Sequence, residues 1–292
     1  MDAQNKVTVI GLGQMGFTLA RLLLKQNYKV TVWNRSASKA AALVKEGAIL
    51  AEDVIIAIKS SPIVVVCVID YEASDSVLKY PQVANEISGR TIIQLTTGSP
   101  DEATASELWA HKFGAAYIDG AIQVAPEQMA KPDTTIFVSG SQKAYDQAAA
   151  ILNIFGGNIK YLGNRISAAA AMDLASLSYL YGSLLGFFHA ARIAESEGFS
   201  MDMLGEIITE VSPGFADFMK YEAGVINSGD FGVTQSPLSI SIEATERILK
   251  ASEQYKINTE VPKLAASFFS RANKAGYGRE ELASLIKVFR NS

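Results

Sequence analysis

A chain of 292 residues, 49% hydrophobic and 19% charged, has apolar material for two packed domains and too much of it to remain disordered. Its formal net charge of −4 gives no overall attraction for nucleic acid. With one cysteine and two histidines, neither an intrachain disulfide nor a metal site is expected.

From Met1 the chain reaches a strand at once, without the apolar stretch of a signal peptide. No later run approaches the roughly 20 uninterrupted apolar residues that cross a bilayer. Both readings point to a cytoplasmic protein without membrane contact. The first strand, residues 7–10, leads directly into Gly11-Leu12-Gly13-Gln14-Met15-Gly16, which opens a helical pattern over 14–26. A G-x-G-x-x-G between a strand and a helix is the phosphate turn of a Rossmann domain. Gly11 permits the turn, Gly13 lets the backbone approach a pyrophosphate, and Gly16 lets helix and sheet pack closely.

The second strand, 29–33, ends Trp33-Asn34-Arg35-Ser36, with Lys39 a turn later and a helical pattern over 38–46. NAD-binding chains usually carry an acid here for the ribose hydroxyls. This chain offers two hydrogen-bonding side chains, Asn34 and Ser36, and two cations, Arg35 and Lys39, which suit a 2′-phosphate and hence NADPH. The alternative is that both cations are solvated helix-start residues. The next apolar run, 63–69, contains Cys67 and Val68, and the run 91–95 ends in Thr96 and Thr97. Both strand ends should border the nicotinamide, since ligands lie at the carboxyl edge of such sheets. The two threonines either face the cleft or cap the helix expected over 100–113. Further strands are expected at 117–118 and 134–138. Strand–helix alternation with nearly continuous apolar strands predicts a mostly parallel sheet covered on both faces.

The rhythm stops near Gly163. Residues 166–197 hold no proline and no tight turn pair, which predicts one helix about 45 Å long, closed by Gly198. It carries no charge between Asp173 and Arg192, and a helix apolar nearly all round should be buried on several sides. The remainder reads as helical, with breaks at 212–214, 228–230, Pro237 and 276–278. The expected organisation is α/β: a Rossmann NADPH-binding domain over 1–163, an interdomain helix over 164–197, and an all-α substrate and dimerisation domain over 198–292. About 95 residues cannot wrap the long helix alone, so a homodimer is expected. His111 and His189 read as exposed or packing residues.

The Gly-Leu-Gly-x-Met-Gly turn, the segment Val32-Trp33-Asn34-Arg35-Ser36, Asp119-Gly120-Ala121-Ile122, Tyr161-Leu162-Gly163 and Met172-Asp173-Leu174-Ala175 followed by Tyr181-Gly182 together resemble the β-hydroxyacid dehydrogenase superfamily. Gly229-Asp230-Phe231 and Thr234-Gln235 make the chain more similar to its imine reductases, including the fungal reductive aminases. The resemblance covers nearly the whole chain. It implies reduction of imines to amines by hydride from NADPH, in a homodimer whose helical domains are exchanged. In the hydroxyacid dehydrogenases the long helix carries a catalytic lysine, with an asparagine four residues on; here those places hold Asp173 and Leu177. A lysine suits a carbonyl, whose oxygen gains negative charge as hydride arrives. A carboxylate suits an iminium, already cationic. At 4 Å and an effective dielectric near 20, the wrong sign is worth about 4 kcal/mol.

The resemblance also implies that Tyr181 stands beside the substrate with Asp173, and that Gln123, Leu177 and Gln235 line the pocket. As a plain aromatic, Tyr181 reads equally well as core. Thr97 stands where the aminases tend to have an asparagine, which sets simple imine reduction ahead of amine coupling. Two rival readings are a 3-hydroxyacid or semialdehyde reductase that has lost its lysine, and a non-catalytic NADPH-binding sensor.

Overall fold

The structure, a computed structural model, describes residues 5–291; the first four residues, on which the signal-peptide reading partly rests, lie outside them. The chain forms two compact units, one ending at Ser178 and one starting at Tyr179. In the first unit, β1 (Lys6–Ile10), β2 (Lys29–Trp33), β3 (Ile49–Leu50), β4 (Ile63–Val66), β5 (Thr91–Gln94), β6 (Ala116–Ile122), β7 (Thr135–Gly140) and β8 (Asn158–Tyr161) build one sheet. Their order is β3-β2-β1-β4-β5-β6-β7-β8. Neighbours run parallel, except that β6 meets β7 antiparallel. The connecting helices are α1 (Gln14–Lys25), α2 (Ala41–Lys45), α3 (Val54–Lys59), α4 (Tyr71–Leu78), α5 (Pro81–Ala84), α6 (Pro100–Lys112) and α7 (Gln142–Phe155).

This is the mostly parallel, doubly covered sheet expected from the alternation, with a core on each face. One joins Val7 and Val9 to Leu19 and Leu23 of α1 and to Ile151, Leu152 and Phe155 of α7. The other joins Val64, Val66 and Ile92 to Ile58 of α3 and Ala110 of α6. Strand order reverses between β1 and β4, and a crevice opens there outside the strands' carboxyl ends. Two strands had no signal in the sequence. β3 is two exposed residues, too short to alternate, and β8 is a partly exposed edge. β6 runs on from the expected 117–118 to Ile122 because Asp119 and Gly120 pair in register with Ser139 and Val138 of β7.

Helix α8 (Ala168–Ser196) is the expected long helix, 29 residues without a break. The described residues bury its first turns but leave its middle open: Leu180, Leu185 and Phe188 are 47%, 59% and 61% exposed. In the second unit follow α9 (Met201–Ser228), α10 (Leu238–Gln254), α11 (Glu260–Lys274) and α12 (Ile286–Arg290). They enclose a small core of Leu238, Ile242, Ala272 and Val288. The expected breaks at 228–230, Pro237 and 276–278 are present: Gly229 closes α9 in the left-handed conformation, Pro237 caps α10, and a short 3₁₀ turn starts at Tyr277. The break at 212–214 is absent, since Pro213 lies inside α9. An internal proline costs about 3 kcal/mol, which a helix of 28 residues absorbs. Hydroxyls also serve the turns around it, Thr209 donating to the Gly205 carbonyl and Ser212 to that of Ile208.

Candidate active site

Helix α1 begins at Gly13 with no side-chain cap and no acid in its first turn, so the positive end of its dipole is left for an anion. The three glycines of the turn differ in what they serve. Gly11 has φ +95°, and a Cβ there would lie 2.2 Å from the Cys67 carbonyl oxygen. At Gly16 a Cβ would lie 2.1 Å from the Gly11 carbonyl oxygen, whereas at Gly13 it would meet nothing within 4 Å. Gly11 and Gly16 are therefore required by packing, and Gly13 keeps open a space that the fold itself does not fill.

That space is a cleft of about 420 Å³ at the β1/β4 reversal. It brings together the whole turn from Gly11 to Gly16 with Leu12, Gln14 and Met15, then Asn34, Arg35, Ser36 and Lys39, and Cys67 and Val68. Asn34 fastens the turn, accepting the Leu12 N–H at 2.9 Å and donating to the Ser36 carbonyl at 3.0 Å. Arg35 and Lys39 are exposed, and neither has an acidic partner among the described residues. Burial pushes the Cys67 thiol up to about 11, which makes it an inert part of the wall.

Thr96 and Thr97 are not brought to this cleft. Thr96 is 2% exposed, and its hydroxyl accepts the Val68 N–H at 3.1 Å, supporting the wall from behind. Thr97 is exposed outside the lining. Neither caps α6. Ser99 does so, in a reciprocal pair with Glu102 that satisfies two backbone N–H groups.

Asp173, the sixth residue of α8, is 6% exposed. Its Oδ1 accepts Gln123 Nε2 at 2.7 Å, and Ser176 donates to Gln123 Oε1 at 2.7 Å. Gln123 directly follows β6, so sheet edge and helix hold the carboxylate jointly. No lysine, arginine or histidine of the described residues is within ion-pairing distance of it. A buried carboxylate without a counter-charge costs several kcal/mol, and one charge-assisted bond offsets part of that. Leu177 is half-buried one turn further on. Asp173, Gln123 and Leu177 do not line the dinucleotide cleft itself.

In the second unit, Tyr181 is 61% exposed in the single chain. His189 packs, its Nε2 3.1 Å from Ser252 Oγ, and His111 is exposed. Gln235 lies on an exposed segment held by a residue the sequence did not point to. Glu281, 0% exposed, accepts the N–H groups of Thr234, Gln235 and Ser236 at 2.6, 2.8 and 2.6 Å. Burial alone would raise that carboxyl; the backbone donors, Leu282 included, outweigh it and hold it down at about 2.

Residues 6–163 match the NAD binding domain of 6-phosphogluconate dehydrogenase, and residues 166–291 match the C-terminal domain of the NADPH-dependent reductive aminase-like proteins. The sequence is 28% identical to an NADPH-dependent reductive aminase of Aspergillus oryzae over 97% of each chain. An imine reductase from Myxococcus stipitatus in complex with NADP+ has a TM-score of 0.91 at 32% identity, over 97% of this chain and 99% of its own. The chain belongs to the imine reductase family. A reductive aminase from Aspergillus terreus, in complex with NADPH4, cyclohexanone and allyl amine, has a TM-score of 0.88 at 33% identity, over 98% of this chain and 99% of its own.

For an imine reductase the residues of the cleft fit NADPH. The uncapped α1, the open space at Gly13 and two unpaired cations after β2 answer the pyrophosphate and a 2′-phosphate. Helix α8 has no lysine anywhere along it.

Proposed function

We propose that this imine reductase reduces C=N bonds, as cationic iminium ions, with NADPH as the hydride source. When bound, the nicotinamide supplies the hydride. Asp173 holds and orients the iminium nitrogen and manages its proton, and Gln123 keeps that carboxylate aimed. Tyr181 joins it as a second catalytic side chain, and Leu177 and Gln235 complete the pocket. Arg35, Ser36 and Lys39 take the 2′-phosphate. The reading rests on one observation above all, a buried carboxylate with no basic partner among the described residues, on a helix without a lysine. Cyclic imines come first among substrates, and coupling of a carbonyl with an amine is supported by the reductive aminase relatives.

A homodimer with exchanged helical domains belongs to the same reading. It is supported by the apolar side chains that α8 and α9 leave exposed, among them Leu185, Phe188, Ile207 and Phe215. Among the described residues no helix is long and apolar enough to cross a membrane.

The test is NADPH consumption with 1-pyrrolines beside glyoxylate and succinic semialdehyde, with Asp173→Ala as control. Imine turnover that falls in the variant, with NADPH affinity held within a few-fold, is the expected result. Turnover of the acids alone would favour the carbonyl reductase, and cofactor binding without any turnover would favour a sensor.

A further inference from the structure

Asp119 is a carboxyl group that the reaction as described leaves unused, buried where an acid is costly. It is 2% exposed on β6, between Gln94 of β5 and Ser139 of β7 in the sheet. Tyr71, the first residue of α4, donates its hydroxyl to Oδ1 at 2.5 Å. The backbone N–H of Ala170, in the first turn of α8, favours the ionised form of the same carboxyl group. The adjacent Ala169 N–H goes to Ser139 Oγ at 3.0 Å. The start of α8, whose N–H groups have no partner within the helix, thus lies against these two side chains, three residues ahead of Asp173. Through Tyr71 the same carboxyl grips α4, whose Ala73, Ser76 and Val77 wall the dinucleotide cleft. One buried acid ties the helix that carries Asp173 to the helix that borders the cofactor.

We propose that Asp119 is a positioning residue of this active site, fixing Asp173 through the start of α8 and setting, by its own ionisation, how much negative charge the imine pocket presents. The inference rests on Asp173 as the partner of the iminium. Ser139 secures its N–H without any charge, so helix capping alone gives no reason for an acid at Asp119. Burial pushes the Asp119 carboxyl up to about 7; Tyr71 and the Ala170 N–H pull it back, and the charge of Asp173 adds to the rise. The titratable groups facing it are Tyr71 from α4, Tyr117 from its own strand and Asp173 from α8, and no basic side chain of the described residues pairs with it. The pocket therefore gains a second negative charge as pH passes neutrality, and with it a stronger hold on a cation.

Asp119→Asn keeps the shape and an acceptor but cannot ionise. KM and kcat for one cyclic imine, measured in parallel for wild type and variant, cancel the substrate's own titration in their ratio. The KM ratio, variant over wild type, should climb about three- to tenfold from pH 6 to 8.5, with the kcat ratio changing less. Tyr71→Phe removes a donor that favours the ionised form and should move the inflection to higher pH. A ratio that stays flat overturns the inference, because a purely structural contact is lost equally at every pH. An inflection unmoved by Tyr71→Phe overturns it too. Thermal midpoints give a reading that needs no substrate. The folded-state value lies above the unfolded one, so wild type should lose stability relative to Asp119→Asn as pH rises from about 4 to about 7. Absence of that trend also sinks the inference. Failure of imine turnover in wild type would instead strike the proposed reaction and leave the midpoint trend to decide whether Asp119 titrates.

Discussion

Two side chains of opposite sign divide the work of the first unit. In the proposed reaction Asp173 meets a cation that loses its charge during reduction, and Arg35 meets a phosphate that one nicotinamide dinucleotide has and the other lacks. Arg35 is exposed and has no acidic partner among the described residues, so its contribution is available to ligand. A charge-assisted pair of this kind contributes about 1.5–3 kcal/mol. Arg35→Ala should therefore raise the dissociation constant for NADPH by roughly 10- to 100-fold while leaving NADH within about twofold. Fluorescence titration of both dinucleotides checks it; equal weakening of the two would remove Arg35 from the 2′-phosphate. Both residues could be read from the sequence because each breaks a local pattern, an acid inside an apolar helix and two cations where an acid usually ends the strand. The contacts that hold such acids could not, and Gln123 was expected only as a pocket-lining residue. Gln123 reaches Asp173 across 50 positions and Tyr71 reaches Asp119 across 48, and no periodicity carries such a pairing.

At the scale of elements, the turn from β1 to α1 separates what the fold needs from what the ligand needs. Gly13 has φ −67° and ψ −177°, an ordinary extended conformation, so alanine fits its backbone. A Cβ at Gly13 enters only open space, but at Gly16 it enters the Gly11 carbonyl. Gly13→Ala should leave the thermal midpoint within about 2 °C and still weaken NADPH at least roughly tenfold, whereas Gly16→Ala should lower both. A Gly13→Ala protein that binds NADPH normally would contradict the placement of the pyrophosphate. This motif was legible because its glycines stand between a recognisable strand and helix, and β1, β2, β4, β5, β7, the start of β6 and the helices α1, α6 and α8 were legible from their apolar patterns. Elements were missed where the pattern is short or interrupted, as at Ile49–Leu50 and in the later half of β6. Pro213 misled in the other direction, since local propensity says nothing of the helix that continues on both sides of it. Thr96 and Thr97 also follow β5, but the cap of α6 went to Ser99 because Glu102 completes the reciprocal pair. Glu281 had no sequence signal, as it acts on backbone N–H groups some 46 positions away.

At the scale of the whole molecule, the apolar side chains of α8 and α9 call for a partner, and a second copy of this chain is the proposed one. In solution the expected mass is twice the 31.3 kDa of the chain, but mass alone does not distinguish side-by-side pairing from exchange. Complementation does. Let one protein carry Arg35→Ala with Gly13→Ala, which disables its Rossmann domain, and let another carry Gln235→Lys, which plants a cation in a pocket meant for cations. Each homodimer should be nearly inactive on imines. After the two are mixed and their subunits exchanged, roughly half of all dimers hold one of each. If a cleft is closed by the partner's helical domain, one of the two sites in every mixed dimer then combines an intact Rossmann domain with an intact Gln235. The mixture should recover about a quarter of the wild-type rate. If each chain closes its own cleft, both sites remain damaged and nothing returns, even though mass measurements still report dimers. The recovered rate thus reads domain exchange directly, and a mixture no more active than its parents would confine the dimer to simple pairing.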